Sequence, residues 1–252
     1  MTKQEALFSY TLRLGDNALI LGHRLSEWSS KGPLLEEDIA MTNMALDLIG
    51  RADALLKHAA QVEGKGKTED DLAYRRGERE FLCNLIMQLP NGDFGYTIAR
   101  QLIVSAFDFC LYEELVKSKD ETIAAISAKA IKEVKYHLKF ATDWTLRLGD
   151  GTEESHQRIQ KSFDDIWMYT GELFEMNEID AILIKEGIAV DLNVLKTRWK
   201  KIITEVLLEA TLTVPADAYM QSGSRKGVHT ESLGYILAEM QYLQRAYPDA
   251  KW

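Results

Sequence analysis

Residues 121–148 read ETIAAISAKAIKEVKYHLKFATDWTLRL. The stretch holds neither proline nor glycine, and its apolar residues recur three and four places apart, so it predicts one unbroken helix with a single buried face. At about 100° per residue, with Val134 as zero, the apolar arc runs from Ile131 near +60° to Phe140 near −120°. Ile126, Ala130, Ala141 and Trp144 lie within it. Glu133, near −100°, and His137, near −60°, also fall inside, whereas Tyr136, near −160°, sits towards its edge.

Three more segments have the same character. Residues 5–29 place Leu7, Tyr10, Leu14, Ala18, Leu21 and Leu25 at helical spacing, and SSKGPLLEE then supplies Gly32 and Pro33 as a break. A second helix, about 36–62, is acidic at its start, as the helix dipole favours, and EGKGKT stops it. Residues 69–92 read as short helical pieces ending in LPNGD. A third long helix, about 93–117, joins the fourth through KSKD, a link short enough to force an antiparallel hairpin. Two hairpins joined by a long crossover through residues 63–92 make an all-α, ferritin-like, up-and-down four-helix bundle. The glycines of LGDGT end the fourth helix. Further helices are expected at about 152–170, 191–212 and 229–246, the last after the loop PADAYMQSGSRKG. Residues 1–252 thus read as a single domain, with a core bundle at about 5–149 and additional helices at about 152–246. The hexapeptide TLRLGD occurs at 11–16 and 145–150 with unmatched flanks, and reads as coincidence rather than a repeat.

Composition narrows the function. The chain has 252 residues, 46% of them hydrophobic, which is enough to bury a sizeable core. A net charge of −9 without a basic cluster argues against nucleic acid or an anionic membrane as partner. The N-terminus MTKQEALFSY lacks an apolar signal core, and no uncharged run approaches the roughly 20 residues of a membrane helix. Cys83 and Cys110 form no paired motif and read as buried thiols, so a cytoplasmic protein is expected.

A bundle of this class can hold two irons between about four carboxylates and two histidines, supplied in part by two Glu-x-x-His motifs. Here the third residue after Glu133 is Tyr136, and His137 arrives one place late. On the facing hairpin the best acid, Asp47, is followed three places on by Gly50 and four places on by Arg51. Asn17 and Ser105, with Gln101 a turn away, stand where further carboxylates belong. The interior therefore offers two carboxylates and one histidine: Asp47, Gly50, Glu133, Tyr136 and His137 read as degenerate positions of a lost centre, with no metal, cofactor or catalytic residue in this chain. Glu133 and His137 can equally be a stabilising i,i+4 pair, and His23 with Glu27 reads as a solvated helix pair. The competing reading is a self-sufficient di-iron oxidase or ferroxidase using Asp47, Glu133 and His137.

Longer strings carry a resemblance. YTLRLGDNALILGHRLSEW, EEDIAMTNMALDLIGRA, LPNGDFGYTIARQ, AISAKAIKEVKYHL, RLGDGTEES, YTGELF, EGIAVD and KGVHTESLGYILAEMQYLQRAYPDAKW are together similar to the C subunits of bacterial phenylacetyl-CoA epoxidase, a ring-1,2-epoxidase of phenylacetate degradation. The resemblance runs almost the whole chain. It implies a ferritin-like, non-catalytic subunit that supports a homologous A subunit, where the di-iron centre resides. It further implies a small B subunit and a reductase drawing on NADPH, and it assigns no catalytic residue to this chain. Isolated, such a chain is free to form a homodimer through the surface meant for its partner. Helices 5–29, 36–62 and 93–117 carry apolar residues over more than a ~100° stripe, which leads us to expect an obligate-type interface of at least ~2,000 Å².

Overall fold

Thr2 opens the first helix. Its hydroxyl accepts the Glu5 N–H at 3.2 Å while the Glu5 carboxylate accepts the Thr2 N–H at 2.7 Å, so two backbone donors without helical partners are satisfied reciprocally. The computed structural model describes residues 1–248 and 250, and among them there are eleven α-helices and no strand. They fall into two compact units.

The first unit comprises residues 1–31, 35–90 and the chain from Gly223 onward. Its frame is the hairpin of α1 (Lys3–Ser26) and α2 (Leu35–Glu63). Two glycines let these helices approach closely: a Cβ at Gly15 would lie 2.8 Å from Leu56 Cδ2, and one at Gly22 would lie 3.0 Å from Ile49 Cγ1. The crossover contributes α3 (Glu69–Tyr74) and α4 (Leu85–Gln88), and the chain end returns as α10 (Glu231–Met240) and α11 (Tyr242–Ala246). The single helix expected at 229–246 is thus interrupted at Gln241, whose buried amide donates to the carbonyls of Ala73 at 3.2 Å and Arg76 at 3.1 Å.

The second unit, residues 32–34 and 91–222, is built on the hairpin of α5 (Phe94–Leu115) and α6 (Glu121–Gly149). Against it pack α7 (Glu153–Ile166) and α9 (Leu192–Glu209), with the short α8 (Glu178–Lys185) between them in sequence. The helix expected to reach 170 ends at Ile166 and continues as 3-10 turns. Periodicity did not reveal α8, because eight residues are too few to display it. A capping box, with Asn177 accepting from Ile179 N and Asp180 accepting from Asn177 N, starts it. Of the helices beyond residue 152, α7 to α9 fall in the second unit and α10 and α11 in the first.

One tight contact explains a glycine. Gly149 closes α6, but what requires glycine is not cap geometry: a Cβ there would stand 2.2 Å from the Ala210 carbonyl oxygen. Gly149→Ala must push the backbone at the end of α9 away, and should cost about 1–3 kcal/mol in chemical denaturation, whereas alanine in an open helix interior would stabilise.

The width of the apolar stripes also has a structural reason. Helices α1 and α5 are buried on nearly all sides within the chain, so their apolar excess is not spare surface as anticipated. Of these three helices, α2 is the one that leaves a line of large apolar residues open. No described helix is long and apolar enough to cross a membrane.

Candidate functional site

The fully buried line along α6 is Ile123, Ser127, Ala130, Val134, His137, Ala141, Thr145 and Gly149. It spans only about −60° to +60° around Val134, narrower than the arc drawn from apolarity alone. His137 lies at its edge and is 4% exposed. Glu133 falls outside it, which corrects the expectation that both face the interior. Its side chain is 17% exposed and Lys129, a turn earlier, approaches to 3.8 Å. The difference arises because Phe140 and Trp144 set the edge of the apolar arc, yet both are only half-buried. Tyr136 is 48% exposed, its ring 6.3 Å from that of His137 and 6.4 Å from that of Phe140.

On α2, Asp47 is half-buried and Arg51 is buried. Gly50 lies on the exposed face, and a side chain there would meet nothing within 4 Å. The two positions where ligand histidines would stand in Glu-x-x-His registers, Gly50 and Tyr136, thus both open to the surface. Asn17 accepts the Asn84 N–H at 2.8 Å and is occupied in fastening the crossover to α1. Gln101 and Ser105 are buried on α5. Among the described residues no three His, Cys, Asp or Glu side chains gather in a way that could hold a metal ion. A donor set of this composition does not fit a two-iron centre, which needs several anionic ligands to offset its charge.

His23 is not the solvated partner of Glu27. Burial pushes its pKa below the usual histidine range, while Glu27 pairs with Arg24 at 2.7 Å. Neither cysteine is in a disulfide and both are buried, as expected, and burial raises the Cys110 pKa.

The densest polar constellation went unread in the sequence. Asp16, wholly buried on α1, receives both terminal nitrogens of Arg76 and the Leu82 N–H, the last at 2.8 Å. Arg76 also donates to the carbonyls of Leu72 and Glu80, and its guanidinium covers the Phe81 ring at 4.1 Å. Nearby, Gln88 contacts His229 Nδ1 at 2.8 Å and accepts from the Thr230 N–H at 2.9 Å, while Arg24 donates to the carbonyls of Gln88 and Ser232. The available signal was an aspartate one turn from Leu12 and from Ile20 on an otherwise apolar face. Its arginine lies 60 residues away, and no spacing rule links them. These groups bond to one another and to the backbone, so their chemistry is that of a fastening.

An all-α chain built on two long helical hairpins with a depleted ligand set has a counterpart among known proteins. The chain matches the phenylacetic acid catabolic protein family over residues 1–252 and belongs to that family, which places it in the all-α, ferritin-like class. It is also 48% identical over 246 residues to the C subunit of the 1,2-phenylacetyl-CoA epoxidase of Escherichia coli K12, a match covering 98% of this chain and 99% of the relative.

Proposed function

We propose that the chain is the structural, non-catalytic subunit of a multicomponent phenylacetyl-CoA 1,2-epoxidase acting in aerobic phenylacetate degradation in the cytoplasm. It pairs with and supports a homologous A subunit that carries the di-iron centre, alongside a B subunit and an NADPH-dependent reductase. Its organisation as one ferritin-like domain and the absence of a cofactor of its own belong to the same proposal. The observation that carries it is the combination of near-complete similarity to an epoxidase C subunit with a ligand set reduced to Asp47, Glu133 and His137. The self-sufficient oxidase is disfavoured because Gly50 and Tyr136 open to the surface and offer no substitute histidines.

After iron-replete growth the purified chain should hold far less than one iron per subunit and should consume no oxygen when given a reductant. Combined with the A and B subunits and the reductase, it should support turnover of phenylacetyl-CoA. Two irons on the isolated chain, with reductant-dependent oxygen uptake, would overturn the reading. Glu133→Gln gives an independent check. With Glu133 at the solvent margin beside Lys129, the change should cost about 1 kcal/mol or less and leave the assembled enzyme active. Lost turnover in an intact assembly would mean that Glu133 has a functional role.

A further inference from the structure

Glycine inside a helix is unfavourable relative to alanine and persists where something needs the room. In α1 the reason is internal, since the Cβ positions of Gly15 and Gly22 are taken by side chains of α2. Gly50, in the middle of α2, has no such reason, because nothing lies within 4 Å of where its Cβ would be. It continues a line of exposed apolar residues on that helix: Leu35 at 71%, Ile39 at 50% and Leu46 at 62% exposure. At about 100° per residue all four fall within some 60° of one another. From Leu35 to Asp53 every charge on this side of the helix is acidic (Glu36, Asp38, Asp47 and Asp53), while Arg51 is buried and the first exposed base on the stripe is Lys57, a turn beyond Asp53. A second copy crossing antiparallel at Gly50 would bring Asp47 against the Asp53 of the copy, and Asp53 against its Asp47.

We infer that this face of α2 is the seat of a helix from a different polypeptide, whose backbone crosses close over Gly50. That helix presents an apolar stripe to Leu35, Ile39 and Leu46 and basic residues to the flanking acids. The inference rests on the functional reading above and names the surface through which the partner subunit is held.

The test measures the affinity of the full-length chain for the A subunit, with Gly50→Leu, Leu46→Asp and Asp53→Lys compared with the parent. Each isolated variant is first melted by circular dichroism; Gly50→Leu fills open space and should melt no lower than the parent. Gly50→Leu and Leu46→Asp should each weaken association at least tenfold, and Asp53→Lys should weaken it and reduce its salt dependence. Affinity within twofold of the parent for both Gly50→Leu and Leu46→Asp overturns this inference while leaving the functional reading in place. No association of the parent chain with the A subunit overturns both. A homodimer of the parent that Leu46→Asp dissociates overturns the assignment to a different polypeptide.

Discussion

Asp16→Ala should lower the stability of the folded chain by about 3–5 kcal/mol, the cost of leaving one member of a buried ion pair without the other. For a chain of this size that corresponds to a fall in Tm of about 6–20 °C. The argument rests on what Arg76 would lose. Its guanidinium is 7% exposed, and it is neutralised by a carboxylate that is 0% exposed. Alanine at 16 also deprives the Leu82 N–H of its acceptor. The pair itself need not be net stabilising, since desolvation of both ions offsets much of their attraction. The double variant Asp16→Leu with Arg76→Met should therefore recover a large part of the loss, and a double-mutant cycle would read out the coupling. If Asp16→Ala melts within a degree or two of the parent, the pair is not what anchors the crossover to α1.

Trp199→Ala should cost the second unit a similar amount, about 3–5 kcal/mol. Trp199 is 3% exposed on α9, and its indole N–H donates to the Ile103 carbonyl of α5 at 2.9 Å. Its ring stands 5.2 Å from Phe174 and 5.7 Å from Trp167, and Phe174 meets Phe107 of α5 edge-on at 5.6 Å. Truncation opens a cavity in this aromatic column and removes the indole hydrogen bond to the Ile103 carbonyl. Trp199→Phe keeps most of the volume and loses the hydrogen bond, so it should cost only about 1–2 kcal/mol. Equal destabilisation by the two variants would show that the hydrogen bond, and not the packing, sustains the contact.

The long helices were legible because each needs only local information. Periodic apolar residues, Gly-Pro or Gly-rich breaks and capping residues placed α1, α2, α5 and α6 within a few residues of their observed ends. The departures from Glu-x-x-His at Gly50 and Tyr136 were visible for the same reason, since that motif is a relation between residues one helical turn apart. What failed was inference about width and depth. Apolarity put Glu133 inside an arc whose real buried portion stops at His137, because half-buried aromatics extend an apolar pattern beyond the surface that another element covers. The same ambiguity made α1 and α5 resemble docking surfaces when most of their residues are buried within the chain.

The two copies of TLRLGD make the division plain. In both, sequence alone determines a helical segment with an apolar spacing. At 11–16 the hexapeptide lies within α1, and its aspartate is the buried anchor of Arg76; at 145–150 it ends α6, and its aspartate is an exposed cap beside a glycine pressed against Ala210. Six identical residues acquire different roles because a helix is specified by its own hydrogen bonds and propensities, which are local. Burial, ion pairing and glycine's necessity depend on which distant residue arrives opposite, and that contact exists only once the chain has folded.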